Sequence, residues 1–257
     1  MKALLLAAGL GTRLRPLTND RPKALVEVGG ITLLERNILY LKEQGFTEII
    51  VNVHHFGEQI IHFLQTHSFG ISVQISDERK ELLDTGGAIK KAALLLQDEP
   101  DFMVYNVDVI CNMDLQTMYR FHLQNQALVT MATRHRHTQR YLLFDNTNQL
   151  KGRYTENTHN QDKSHQNLNM AVPQTETSGT STDASSLQKL AFSGIHWISN
   201  KIFTFMPAEN AFPILPLYLE LAQSRRVQCF LHDDSFWMDM GRPESIAAFT
   251  HARRQGF

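Results

Sequence analysis

Short apolar runs alternate with amphipathic segments over the first half of the chain. Residues 2–8 form an apolar run that ends at glycine, as expected of a strand buried in a parallel sheet. Residues 32–44 carry leucine and isoleucine at helical spacing, and Gly45 follows as a stop signal. The alternation continues to about residue 134 and is typical of βαβ units. It predicts an α/β fold in which a mostly parallel, mixed central sheet has helices on both faces.

The same patterns predict the remaining elements. We expect strands at residues 47–55, 70–76, 101–108 and 127–134, and helices at residues 58–65, 85–97 and 114–124. The later part predicts a hairpin arm at 141–150, a strand pair or one long strand at 187–199, a helix at 212–224, strands at 227–232 and 235–241, and a helix from Pro243. Residues 155–186 hold only five apolar residues in 32, too few to bury much surface, which favours a mobile polar insertion.

The composition restricts the partners and the compartment. A formal net charge of −1 gives no overall field toward nucleic acid or an anionic membrane. The local basic run RHRHTQR, residues 134–140, lacks interleaved aromatic residues and is interpreted as a solvated edge. Two cysteines make neither a disulfide framework nor a zinc set, and no apolar run approaches the roughly 20 residues of a spanning helix. We therefore expect a cytoplasmic protein without nucleic-acid or membrane partners.

A glycine-rich, basic stretch follows the first predicted strand: LAAGLGTRLRPLTNDRPKAL, residues 6–25. A dinucleotide fingerprint needs glycine where this stretch has Leu14, and a Walker A loop needs a Gly-Lys-Ser/Thr that is absent. Glycines still allow backbone N–H groups to approach an anion closely. Arg13 can bind two phosphate oxygens with its forked guanidinium, and Lys23 offers a flexible point charge. The stretch therefore predicts a phosphate site of another kind.

Taken whole, this stretch resembles the N-terminal signature of the sugar-1-phosphate nucleotidyltransferases, also called NDP-sugar pyrophosphorylases. Four later segments resemble motifs of that family in the same order: LLDTGGAIKKA, NVDVICNMDL, AFSGIHWIS and FWMDMGRPESIAAF. The layout is most similar to the branch of mannose-1-phosphate guanylyltransferases and N-acetylmuramate-1-phosphate uridylyltransferases. The resemblance implies a three-layer, Rossmann-like nucleotidyltransferase fold. It also implies one domain over residues 1–257, with a nucleotide-binding half at 1–134 and a sugar-phosphate half at 135–257.

The resemblance further implies a reaction and a set of roles. An NTP and a sugar 1-phosphate would give an NDP-sugar and pyrophosphate, with a sugar-phosphate oxygen attacking the α-phosphorus in line. Such a reaction needs cations more than a general base, because the sugar phosphate is already a nucleophile at neutral pH. The implied residues are Arg13 and Lys23 for catalysis; Leu6, Ala8, Gly9, Gly11, Thr12, Glu78, Gly86 and Gly87 for the nucleotide; Asn106 and Gly194 for the sugar; and Asp108 and Asp239 as ligands of Mg²⁺.

The sequence does not determine which substrates the protein would use. Many relatives have glycine where this chain has Val107. Many also carry a Glu-Lys pair near the sugar, whereas Lys151, Arg153 and Glu156 of this chain depart from that pattern. The base, the sugar and the residue that grips the sugar phosphate are therefore undetermined. A catalytically silent nucleotide- or sugar-binding regulator with the same fold is the alternative function, and a homo-oligomer is one option for the assembly.

Overall fold

The structure, a computed structural model, describes residues 1–156 and 187–254. Its strands are β1 (Lys2–Leu6), β2 (Glu27–Val28), β3 (Ile31–Thr32), β4 (Glu48–Val53), β5 (Ser72–Asp77), β6 (Asp101–Asn106), β7 (Val109–Cys111), β8 (Val129–Arg134), β9 (Arg140–Phe144), β10 (Leu150–Thr155), β11 (Gln188–Ser199), β12 (Val227–Leu231) and β13 (Trp237–Asp239). Its α-helices are α1 (Leu33–Glu43), α2 (Gly57–Thr66), α3 (Asp84–Lys91), α4 (Ala93–Leu96), α5 (Leu115–Gln124), α6 (Ile214–Leu221) and α7 (Pro243–Arg254).

A mixed sheet forms the middle layer. Over the described residues it has nine strands, in the order β10-β9-β11-β6-β1-β4-β5, with β8 bonded to β11 and β12 bonded to β8. Strands β6, β1, β4 and β5 form a parallel centre. Strand β11 runs antiparallel to β6, β8 and β9. The predicted α/β fold, with helices on both faces of a mixed and centrally parallel sheet, is confirmed.

Each face of the sheet has its own core, because successive side chains of a strand point to opposite faces. Ala3 and Leu5 pack with α1, α2 and α5 on one face, whereas Leu4 packs with α3, α4 and α6 on the other. All three side chains are fully buried. Full burial of a leucine contributes roughly 1.5–3 kcal/mol. The two helix layers therefore hold β1 firmly in the middle of the sheet.

Capping residues and backbone conformation set the helix boundaries. Helix α1 begins after Thr32, whose hydroxyl accepts a hydrogen bond from the Glu35 N–H at 3.1 Å. It ends before Gly45, which takes the left-handed φ of +85° that favours glycine. The helix predicted at 85–97 is instead two helices, α3 and α4, because Ala92 turns the chain with a ψ of −1°.

The strand predicted to end at Asp108 is shorter. Strand β6 ends at Asn106, and the chain turns before β7. The Val107 N–H donates to the Leu6 carbonyl at 3.2 Å, and the Asn37 amide donates to the Val107 carbonyl at 2.8 Å. The prediction was wrong because these bonds satisfy the backbone without a ladder. Asp108 therefore lies in a turn just beyond the edge of the sheet.

The rest of the predicted order is found with small shifts. Residues 187–199 form one long strand, β11, and the arm at 141–150 contributes to the hairpin of β9 and β10. The predicted polar insertion lies, from residue 157 onward, outside the described residues. No helix among the described residues has the length and apolar character needed to cross a membrane.

A buried histidine links the sheet to α6 and makes stability depend on pH. His196 of β11 lies 2.7 Å from the Tyr218 hydroxyl, and burial lowers the pKa of His196 from 6.5 to about 3. The unfolded chain takes up this proton below pH 6.5, whereas the folded chain excludes it until about pH 3. Stability therefore falls as pH falls through this window.

We predict that acidification below pH 6.5 lowers the free energy of unfolding by about 1.4 kcal/mol per pH unit from this residue. His196→Asn keeps an acceptor for Tyr218 and removes the titrating ring, so its slope should be shallower. Denaturant unfolding at pH 7 and pH 5 measures both slopes, with His62→Asn at an exposed position as the control. A His196→Asn slope equal to that of the parent chain would refute this account.

Candidate active site

Three parallel strands end side by side at one edge of the sheet. Leu6 at the end of β1 is in register with Asn52 of β4 and Asn106 of β6. Ligands of open α/β sheets bind at this edge. A cavity of about 630 Å³ opens there. Its lining includes seven of the predicted site residues: Leu6, Ala8, Gly9, Lys23, Glu78, Asn106 and Asp108.

The glycine-rich loop after β1 folds back so that Lys23 lies against it. Gly11 takes a left-handed φ of +65°, and the Thr18 hydroxyl donates to its carbonyl at 2.8 Å. A methyl group on Gly11 would lie 3.2 Å from the Lys23 Cβ, so a side chain there would crowd the lysine. Leu14, which breaks the dinucleotide fingerprint, is fully buried. It anchors the 3-10 turn Thr12–Leu14, in which Thr12 and Arg13 are exposed.

Lys23 and Asp108 form an ion pair at the cavity wall. The Lys23 Nζ lies 2.9 Å from the Asp108 Oδ2, and the two side chains are only 15% and 11% exposed. The Asp108 carbonyl accepts a hydrogen bond from the Met240 N–H at 2.7 Å, which fixes the turn. Each charge therefore balances the other in a largely buried setting.

Asp239 reaches the same place from far along the chain. Strands β7 and β13 pair antiparallel, with Asp239 opposite Val109. The Asp239 Oδ1 accepts a hydrogen bond from the Gly241 N–H at 2.7 Å. The two-stranded ribbon therefore brings Asp239 beside the turn that holds Asp108.

Gly241 marks the point where the predicted charged residues meet. A methyl group on Gly241 would lie 2.8 Å from the Asp239 Oδ1, 2.9 Å from the Arg13 Nη2 and 3.3 Å from the Asp108 Oδ2. Because Lys23 already pairs with Asp108, the four charged residues predicted for catalysis and the metal come together, whereas Glu78 lies on another side of the cavity. Gly241 itself was not among the predicted residues. Its position directly after the Asp-Met pair of FWMDMG was the available signal.

Glu78 lines the cavity from the β5 side and is almost fully buried. Its Oε1 accepts a hydrogen bond from the Asn52 Nδ2 at 3.0 Å, whereas its Oε2 is buried and has no partner within the described part of the chain. Burial is the main cause that raises the Glu78 pKa, and the Asn52 hydrogen bond opposes it. The carboxyl is therefore poised to accept a further hydrogen bond.

Asn52 was missed by the sequence prediction. Its Oδ1 accepts hydrogen bonds from the Ala7 and Ala8 N–H groups at 2.6 and 3.3 Å, while its amide nitrogen binds Glu78. One side chain therefore ties the glycine-rich loop to the acidic wall of the cavity. A lone polar residue near the end of the apolar strand EIIVNV was the signal for it.

Gly86 and Gly87 contact the cavity wall rather than the space inside it. Their N–H groups donate to the Phe212 carbonyl at 2.8 and 3.2 Å. A methyl group on Gly87 would lie 2.0 Å from the Asn210 carbonyl oxygen, so α3 can approach this loop only with glycine there. The lining from these two segments comes from other residues: Leu82, Asp84, Thr85, Ala88, Ala211, Phe212 and Pro213.

The two predicted sugar residues lie together. Gly194 takes a φ of +78°, and a methyl group on it would lie 2.8 Å from the Asn106 Nδ2. Asn106 lines the cavity at the end of β6. The irregular pairing of β11 with β8 between Phe192 and His196 occurs at this glycine.

Comparison with known proteins assigns the family. The sequence pattern described as "Nucleotidyl transferase" matches residues 2–150. The chain belongs to the nucleotidyl transferase family. It is 32% identical over 249 residues to the N-acetylmuramate alpha-1-phosphate uridylyltransferase of Caulobacter vibrioides, covering 96% of this chain and 94% of that protein. It is 40% identical over 125 residues to the mannose-1-phosphate guanyltransferase of Gibberella zeae, covering 48% of this chain and 34% of that protein.

The fold of this nucleotidyl transferase is also that of solved structures. It superimposes on HddC from Yersinia pseudotuberculosis with a TM-score of 0.72 at 22% identity, covering 98% of this chain and 99% of that one. The predicted family, the enzyme class and the fold are therefore confirmed. Members of the family typically use a divalent metal.

The carboxylates of this transferase suit such a metal. Within residues 1–156 and 187–254 no group of three or more His, Cys, Asp or Glu side chains could hold an ion. Asp108 and Asp239, however, both lie close to Gly241. Mg²⁺ needs only one or two carboxylates when substrate phosphates and waters complete its octahedron. The pair fits a cation that is bound together with a phosphate ligand.

We predict that Gly241→Ala lowers kcat/KM at least 100-fold, because the methyl group would push apart Arg13, Asp108 and Asp239. Glu244→Ala, at an exposed position of α7, is the control and should retain activity. Thermal unfolding of both variants checks the fold. Near-normal turnover by a folded Gly241→Ala variant would show that the close approach of Arg13, Asp108 and Asp239 is not needed for activity.

Proposed function

We propose that this nucleotidyl transferase moves a uridylyl group from UTP to a sugar 1-phosphate and releases pyrophosphate. The convergence of Lys23, Arg13, Asp108 and Asp239 beside the cavity carries the proposal. Joining two polyanions requires groups that position them and absorb charge in the transition state. The relative from C. vibrioides, matched over nearly its whole length, is named as a uridylyltransferase of a sugar 1-phosphate, and this supports the choice of substrates.

The strand order supports one orientation of the bound nucleotide in the cavity. Glu78 follows β5 and Asp108 follows β6, and the order β6-β1-β4-β5 separates them by three strand spacings, roughly 14 Å. We assign the base to the Glu78 side and the phosphates to the Lys23 side. The base would lie against Leu6 and Ala8, with Gly86 and Gly87 behind the wall. Backbone N–H groups of Gly9, Gly11 and Thr12 would bind the phosphates.

The hydrogen bonds available at the Glu78 carboxyl favour uracil over guanine as the base. Because Asn52 already occupies the Glu78 Oε1, only the Oε2 is left without a partner among the described residues. Uracil has one ring N–H on its pairing edge, whereas guanine has a ring N–H and an amino group side by side. The unpartnered Oε2 can accept the uracil N–H by itself, whereas the second guanine donor would have to share the Oε1 with Asn52, which we expect to weaken guanine binding.

The remaining charged residues have separate tasks in the transfer. A phosphate oxygen of the sugar 1-phosphate attacks the α-phosphorus, and the bond to pyrophosphate breaks. Lys23 would stabilise charge on the α-phosphate, and Arg13 would bind the departing pyrophosphate with its forked guanidinium. Asp108 and Asp239 would hold Mg²⁺, which would neutralise phosphate charge when bound. Asn106 and Gly194 would border the sugar.

The alternative of a silent regulator has no support in these residues. Such a protein has no need of cations and carboxylates at one point, whereas this chain retains all four and folds them together.

The direct test is pyrophosphate release. The purified chain is incubated with Mg²⁺, each NTP in turn and a panel of sugar 1-phosphates. We expect release with UTP and at least one sugar 1-phosphate, and none when either substrate is omitted. Preference for GTP would overturn the assignment of the base but not the reaction. No release with any pair would overturn the proposed function.

We predict that Lys23→Ala lowers kcat about 100-fold or more, because it removes a charge that acts on the reacting phosphate. Lys201→Ala replaces an exposed lysine elsewhere and should match the parent enzyme. Circular dichroism and thermal unfolding verify both folds. Normal kcat in a folded Lys23→Ala variant would remove Lys23 from the mechanism.

A further inference from the structure

Residues 207–213, late in the chain, form one wall of the active-site cavity. Ala211, Phe212 and Pro213 of this segment line it. Among the described residues that line the cavity, Phe212 alone carries an aromatic ring. The segment lies between the motifs AFSGIHWIS and FWMDMGRPESIAAF and belongs to neither. The aromatic wall is therefore a feature that the motifs did not anticipate.

Helix α3 and the residue before it hold the Phe212 backbone in place. The Gly86 and Gly87 N–H groups donate to the Phe212 carbonyl at 2.8 and 3.2 Å. The Phe212 N–H donates to the Leu83 carbonyl at 3.1 Å. Both backbone polar groups of Phe212 are therefore bound to protein, and the group that it can offer to a ligand is its ring.

Lys90 of α3 fixes the beginning of the same segment. Its Nζ donates to the carbonyls of Pro207, Ala208 and Glu209 at 2.7, 2.9 and 3.0 Å. An ammonium group has three N–H donors, so one lysine can satisfy all three carbonyls. A wall that is already ordered loses little conformational freedom when a ligand packs against it. The segment is therefore prepared to receive a ligand.

The wall stands on the Glu78 side of the cavity. A short loop leads from Glu78 to Leu83, and the Glu81 N–H closes a turn in it by donating to the Glu78 carbonyl at 3.0 Å. Leu83, at the end of this loop, accepts the hydrogen bond from Phe212. Phe212 is therefore joined to the segment that carries Glu78 rather than to the turn that carries Asp108.

The Phe212 ring packs closely on α3 and stays half-buried. A methyl group on Gly86 would overlap two carbon atoms of the ring, so glycine is what allows the ring to approach the helix. Leu6 and Ala8 line the same cavity from the first strand and the loop after it. The end of the cavity near Glu78 therefore offers an aromatic surface as well as apolar side chains to a flat ligand.

We propose that the base of UTP stacks on the Phe212 ring. This inference rests on the proposed function and names a residue that holds the base. Stacking uses the face of the base and leaves its pairing edge free for Glu78. Because every base has such a face, an aromatic ring adds affinity without choosing among bases. Phe212 therefore supplies affinity and orientation, whereas Glu78 and Asn52 read the edge.

The test compares a ligand that has a base with one that lacks it. Phe212→Leu keeps an apolar side chain and removes the ring, whereas Phe212→Tyr keeps the ring. Calorimetric titration with UTP and with inorganic triphosphate, both with Mg²⁺, measures the two dissociation constants. We expect Phe212→Leu to weaken UTP binding about tenfold or more and triphosphate binding by less than about twofold. Phe212→Tyr should stay within about threefold of the parent protein for both ligands.

Steady-state kinetics gives a second measurement on the same variants. In Phe212→Leu, KM for UTP should rise with the dissociation constant, because the stacked base is held equally in the ground state and the transition state. The kcat and the KM for the sugar 1-phosphate should change by less than about twofold. A variant that merely loosens the fold would instead lose kcat and affinity for both substrates.

Phe205→Leu is the matched control, since Phe205 is also half-buried and lies outside the lining of this cavity. It should leave both dissociation constants unchanged, and thermal unfolding verifies all three variants. Unaltered UTP binding in Phe212→Leu would overturn the stacking, and so would equal losses for UTP and triphosphate. Pyrophosphate release by the parent enzyme would still uphold the proposed function in both cases. No release with any substrate pair would instead overturn the proposed function.

Discussion

The in-register parallel pairing of β1 with β4 and β6 is the constraint on which the site depends. It ends three strands at one level, so Leu6, Asn52 and Asn106 form a continuous floor. Separate helix layers bury both faces of β1 and hold that register. A slip of one residue would exchange the two cores, which makes the register costly to change. The loops that follow these strands therefore start from fixed positions.

Polar side chains then turn this edge into a site with two different sides. On one side, Asn52 joins the glycine-rich loop to Glu78 through three hydrogen bonds. On the other, Lys23, Arg13 and the two aspartates meet at Gly241. The hydrogen-bonding side around Asn52 and Glu78 suits recognition of a base, and the side with Lys23, Arg13 and the aspartates suits phosphate chemistry.

The sequence was most informative where local patterns and motifs carry the information. Apolar periodicity identified most strands and helices, and the motifs anticipated that Lys23, Asp108 and Asp239 belong together, since five ordered segments specify a family. Asn52 and Gly241 escaped notice because their importance comes from partners distant in sequence. The run RHRHTQR was interpreted as a solvated edge, yet Arg136 within it is partly buried against Trp237. Contacts between residues that are distant in sequence become visible only once the strand pairing is known. The individual roles of the site residues remain predictions.

The ribbon of β7 and β13 has a consequence for how the enzyme matures during synthesis. Three residue pairs join segments more than a hundred positions apart, and one of those pairs holds Asp239 beside the Asp108 turn. A nascent chain that has released only its first half can already pair β1 with β4 and β6. It holds only one of the two aspartates, so Asp108 and Asp239 cannot come together until β13 has been synthesised. The order of translation therefore delays the appearance of the complete charged cluster until the segment that follows β12 has been made.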